Sequence, residues 1–135
     1  ITLAPAPAPV PLAPTDVGVA ITVGATPGLV EAGQRLELDW TATNTGQQPL
    51  SPLGAFPFRI GVRWSTADEM IADQHRVVLP EVLRPGSECS GRTVITVPPN
   101  AEGELTLTIS LVQELCWWLC DPVPGHGVRR TLSAA

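Results

Sequence analysis

The chain has 135 residues, enough for one domain and a short appendage. Hydrophobic residues make up 44% of it, charged residues 16% and aromatic residues 4%, and 8 cations against 13 anions leave a net charge of −5. Every cation is arginine, and an acidic chain without lysine is excluded as a phosphate-gripping nucleic-acid module, which needs surplus positive charge. With 15 prolines and 12 glycines the chain interrupts any helical register repeatedly, against an all-α fold. Its apolar runs fall short of the ~20 residues a membrane span requires, so no span is expected.

In chain order, residues 1–15 read as a Pro/Ala-rich extended tail or linker. Pro5, Pro7, Pro9 and Pro11 alternate with small or apolar residues, which favours polyproline II and makes these four prolines candidate docking residues. The chain opens on Ile1 with no basic and apolar leader pattern. Residues 16–135 read as one sandwich domain. Val17–Val23 is a first strand, broken by Thr26-Pro27-Gly28. From Leu36 to Thr43 apolar and polar residues alternate, placing Leu36, Leu38, Trp40 and Ala42 on one face, until Asn44-Thr45-Gly46 turns the chain. Phe58, Ile60, Val62 and Trp64 alternate with Arg59, Gly61, Arg63 and Ser65. Ile71–Leu79 is a weaker strand ended by Pro80. Thr93–Val97 is β-branched and stops at Pro98-Pro99. Leu105, Leu107, Ile109 and Leu111 form the cleanest period-two run, and Val128–Leu132 closes the series. About seven such strands predict an Ig-like or fibronectin-like antiparallel β-sandwich with Trp40 and Trp64 in its core.

Val17 through Asn44-Thr45-Gly46, then Leu83-Arg84-Pro85-Gly86, then Pro98-Pro99-Asn100-Ala101-Glu102-Gly103, resembles the CARDB-type adhesion repeat and its Ig-like relatives. Ile60-Gly61-Val62-Arg63-Trp64, Leu79-Pro80, Pro85-Gly86 and Leu111-Val112-Gln113-Glu114-Leu115 are similar to the small sandwich fused to bacterial glycosyltransferases and methyltransferases. Leu115 stands where a glycine is usual there, and Val62 where a tyrosine is usual. The resemblance covers roughly residues 17–120 and implies a non-catalytic adhesion, sugar-associated or assembly module.

The unusual stretch is Leu115-Cys116-Trp117-Trp118-Leu119-Cys120-Asp121-Pro122. In one continuous strand the Cα atoms of Cys116 and Cys120 lie ~13 Å apart, too far for a disulfide. A tight turn between them permits a Cys116–Cys120 bond, the expected pairing, because the loop is short and local. Three buried or semi-buried thiols are the plainer reading, and Cys89 is an alternative disulfide partner for either of the other two. Cys89, Cys116, Cys120 and His126 lack the spacing of a common zinc knuckle, so no metal is expected. Asp68, Glu69 and Asp73 lack a calcium-loop pattern. His75 reads as part of a solvated strand face and His126 as part of a flexible Pro-Gly-His-Gly turn. Neither is set beside a nucleophile motif, so no catalytic residue and no cofactor are assigned.

Trp117 and Trp118 fall on opposite faces of a regular strand, one inward and one outward, and are the candidate binding residues. The outward indole needs a cover: this chain, a sugar ring or a protein neighbour. The sequence therefore points to a non-enzymatic structural or assembly module that docks on other protein subunits through its edges and tail. A carbohydrate-associated module using an exposed Trp is the alternative. The spacer, the sandwich and a possible disulfide suit an extracytoplasmic setting (cell surface, periplasm or virion), with a cytoplasmic accessory domain as the alternative.

Overall fold

The computed structural model describes residues 11–71 and 75–135. A 3-10 turn, Pro14–Asp16, leads into nine strands among the described residues. These are β1 (Val19–Val23), β2 (Leu29–Val30), β3 (Arg35–Asn44), β4 (Phe58–Ser65), β5 (His75–Val78), β6 (Glu88–Thr96), β7 (Gly103–Gln113), β8 (Trp117–Trp118) and β9 (Val128–Ala134). One sheet has the order β1-β3-β6. The other has the order β2-β9-β7-β4-β5, with β8 also paired to β7. Pairing is antiparallel except between β2 and β9. The chain is thus an all-β sandwich.

The period-two runs produce the core. Leu36, Leu38, Trp40 and Ala42 of β3 are buried in one cluster with Phe58, Ile60, Val62 and Trp64 of β4 and Leu105, Leu107, Ile109 and Leu111 of β7. Each buried indole contributes on the order of 4 kcal/mol of hydrophobic burial. Among the described residues the N–H groups of Trp40 and Trp64 have no hydrogen-bond partner, which offsets part of that gain.

Several bounds differ from the sequence reading, for physical reasons. β2 and β8 are two residues each, too short to leave a periodic signature. β5 is described from His75 to Val78, and residues 72–74, Asp73 among them, lie outside the described residues. β6 begins at Glu88 rather than Thr93, because pairing with β3 from Thr43↔Glu88 to Arg35↔Thr96 overrides the low strand propensity of Glu88-Cys89-Ser90-Gly91-Arg92. β7 stops at Gln113, so the run to Cys120 is a hairpin and not one strand.

The two sheets are not equally covered. On β3 the outward Glu37 and Asp39 are exposed, whereas on β7 the outward Thr108, Ser110 and Val112 are buried. The segment between β7 and β9 folds back over the larger sheet. Its return depends on Gly127, which has φ +89° and where a Cβ would lie 2.4 Å from the Ile109 carbonyl oxygen.

Candidate functional site

The hairpin β7–β8 gathers most of the residues singled out above. Cys116 N–H donates to the Gln113 carbonyl at 3.1 Å and closes the turn, with Leu115 at its tip in the left-handed region at φ +66°. The returning strand places Trp118 opposite Val112 and Trp117 opposite Gln113. Consecutive strand residues face opposite ways, and the two indoles do so here.

Trp117 packs edge-on against Phe58, ring centroids 6.1 Å apart, and joins the core. Its Nε1–H donates to the Leu12 carbonyl at 3.2 Å. The Leu12 N–H donates to Gln113 Oε1 at 3.1 Å, and the Gln113 amide donates in turn to the Phe56 carbonyl at 3.1 Å. Gln113 is buried, so both ends of its amide are committed. Two side chains thereby hold both main-chain groups of Leu12. Pro11 is exposed beside it. Pro5, Pro7 and Pro9 lie outside the described residues.

Trp118 lies on the outer face, above Gly61. A Cβ on Gly61 would sit 2.6 Å from Trp118 Cη2, so the glycine makes room for the indole. The guanidinium carbons of Arg63 and Arg76 lie 4.7 and 4.6 Å from the ring centroid. Arg63 is buried and donates twice to Asp121, at 2.5 and 3.1 Å. Arg76 donates to Glu114 Oε1 at 2.6 Å. The Arg63 hydrogen bonds hold the Asp121 carboxyl below the usual carboxylate range against a partial desolvation that pushes the other way. The sequence marked Trp118 and missed both arginines. The lone glycine between Arg59 and Arg63 on the polar face of β4 was the signal for the ring above it.

The cysteines call for a correction. Cys89, Cys116 and Cys120 are free thiols, and the expected Cys116–Cys120 bond is not formed. Trp117-Trp118 is a strand rather than a tight turn, so it separates the two residues, and the Cys120 thiol is directed at Asp121 Oδ1 at 3.8 Å. Burial pushes the Cys89 thiol up, with Glu81 and Glu88 adding to it, and burial also raises Cys116. Such thiols are poor nucleophiles.

The histidines differ from expectation too. His126 is buried, not in a flexible turn. Its Nε2 accepts the Leu111 N–H at 3.0 Å where β9 has left the β7 ladder. Burial holds it below the ordinary imidazole range. His75 is half-buried and meets Thr93 Oγ1 at 2.7 Å, joining the two sheets at their β5 and β6 sides. Among the described residues no His, Cys, Asp and Glu cluster could hold a metal ion. No helix among them is long and apolar enough to cross a membrane.

No protein-family model matches the chain, and no curated protein matches it. Solved structures do. The sporulation control protein Spo0M from Bacillus subtilis aligns with a TM-score of 0.54 at 12% identity, over 86% of this chain and 49% of that one. A β-glucosidase from Listeria innocua aligns with a TM-score of 0.51 at 10% identity, over 88% of this chain and 16% of the enzyme. A CARDB domain from Pyrococcus furiosus aligns over 89% of this chain and 94% of that one, at 16% identity and a TM-score of 0.46. The chain therefore spans a minor part of the glucosidase. At these identities the likeness shows fold alone: a small β-sandwich.

Proposed function

We propose that this chain is a non-catalytic module that docks on other protein chains through its sandwich edges and its N-terminal tail, in an extracytoplasmic assembly. The observation that carries the reading is the hold on Leu12. Gln113 and Trp117 hold both main-chain groups of Leu12, so the proline-rich stretch is joined to the domain at a fixed residue rather than at a loose one. A lack of poised chemistry supports the same reading. The imidazole of His126 is spent on backbone, and the thiols of Cys89 and Cys116 are raised. The carbohydrate alternative draws less support, because two guanidinium groups already lie over the Trp118 ring.

The test places a photo-crosslinking residue at position 11 or position 90 of the chain in its source cells, with position 102 as control. Protein adducts from 11 and 90 but not from 102 are expected. Equal labelling from all three positions overturns the docking reading, and saccharide adducts in place of protein revive the alternative.

A further inference from the structure

Each sheet has two outer edges, and they differ. β2 and β5 are two and four residues long. β1 is five residues long, and its Val23 carbonyl accepts a hydrogen bond from Arg130 Nη2 at 3.3 Å. β6 is nine residues long, and among the described residues no strand pairs with its second side. It carries no proline, no lysine and no bulge, the usual guards of a free edge.

The alternation of an antiparallel ladder tells which backbone groups are free. Val97 N–H donates to Gln34 and the Ser87 carbonyl accepts from Asn44, so odd-numbered residues of this segment spend their main-chain groups on β3. Glu88, Ser90, Arg92, Val94 and Thr96 consequently direct theirs outward, and all five are exposed. An antiparallel partner must match even positions with even positions. If that partner is β6 of a second copy, a two-fold axis at Ser90 sets Glu88 opposite Arg92 twice. An axis at Arg92 sets the two arginines against each other. Axes at Cys89 or Gly91 leave Glu88 facing Ser90 or Val94.

We infer that β6 pairs with β6 of a second copy of this chain, two-fold about Ser90, joining two three-stranded sheets into one continuous sheet with reciprocal Glu88–Arg92 pairs. This rests on the docking reading and names its partner for one edge. In the row so formed, Arg92 lies between the Asp39 it already bonds at 2.6 Å and the incoming Glu88.

The test is sedimentation-equilibrium centrifugation of this chain, with two charge variants and one cysteine variant. A concentration-dependent dimer is expected. Glu88→Arg and Arg92→Glu each place like charges opposite each other and weaken it by about tenfold. Mixing the two variants one to one restores it, because each supplies the charge the other lacks. Ser90→Cys gives a 90–90 disulfide on mild oxidation, mapped by mass spectrometry, since hydrogen-bonded antiparallel pairs lie ~5.5 Å apart at Cα. Unchanged thermal unfolding of each variant shows that the edge and not the fold was altered. A monomer at every concentration, or a dimer indifferent to both charge variants, overturns the pairing. A monomer whose position 90 still cross-links to other proteins overturns self-pairing alone, and one that cross-links to none overturns the docking reading as well.

Discussion

On the three-stranded sheet the outward Glu37, Asp39 and Arg92 stand in water, while on the six-stranded sheet the outward Thr108, Ser110 and Arg63 are buried. Both β3 and β7 alternate apolar with polar residues, so period two alone does not separate them. The difference lies in what the polar residue can tolerate. Ser110 Oγ receives the Cys120 N–H at 3.1 Å and donates to the Leu111 carbonyl at 2.9 Å, so a hydroxyl can be covered without being left unpaired. Glu37 and Asp39 have no such economy, and their ion pairs with Arg92 remain exposed. At these positions the hydroxyls lie under the roof and the carboxylates stay in water.

The largest expected effect breaks the roof where it returns to the body. Gly127→Ala meets both a forbidden φ and the Ile109 carbonyl, and should cost about 3 kcal/mol in denaturant unfolding. Next comes a matched pair across the two sheets. Gly61→Ala drives a methyl into Val112 and Trp118, at 2.5 and 2.6 Å, and should cost about 2 kcal/mol with a change in near-UV circular dichroism. Gly91→Ala meets the Trp40 ring at 3.0 Å on the open sheet and should cost less than about 1 kcal/mol. Equal costs would mean that the roof over the larger sheet is no more tightly packed than the bare edge of the smaller.

Much of this contrast was legible beforehand and some was not. β4 was read from Phe58 to Ser65 as it stands, because a buried strand with a strict alternation leaves a strong local signal. Trp117 and Trp118 were placed on opposite faces for the same reason. The grip on Leu12 and the burial of His126 depend on partners about a hundred and about fifteen residues away, respectively. No local pattern carries such contacts. Pro124-Gly125-His126-Gly127 looked like a mobile turn because glycine flanks the histidine. Gly127 is instead needed for tight packing.

Acid should open the roof before it touches the smaller sheet. His126 holds a folded pKa below its ordinary 6.5, so between the two values the unfolded chain takes up a proton that the folded chain refuses. Stability from this residue is complete above about 6.5 and falls as the pH drops beneath it. Asp121, lowered by Arg63, acts further down: its contribution is present above the usual carboxylate pKa of 3.8 and is lost as the pH falls through its folded value. Denaturation midpoints measured from pH 8 to pH 3 should show two descents. His126→Gln should flatten the first and spare the second. A first descent that survives this substitution would assign it to another group.

The smallest effect sharpens the comparison at the tip of the hairpin. Leu115 is 88% exposed and adopts φ +66°, a backbone conformation that favours glycine. Relief of the left-handed strain is worth about 1–2 kcal/mol, and the greater chain entropy of unfolded glycine takes back about 0.5–1. Leu115→Gly should therefore raise stability by about 0.5 kcal/mol. Leu115→Ala keeps the strained φ and removes a side chain that buries almost nothing, so it should leave stability unchanged. Measured together, the two separate backbone strain from side-chain burial. If the glycine variant loses stability, the leucine side chain supports the hairpin despite its exposure. If it gains, a leucine that costs stability is being kept at the outermost point of the roofed sheet, which is where a docking partner could use it.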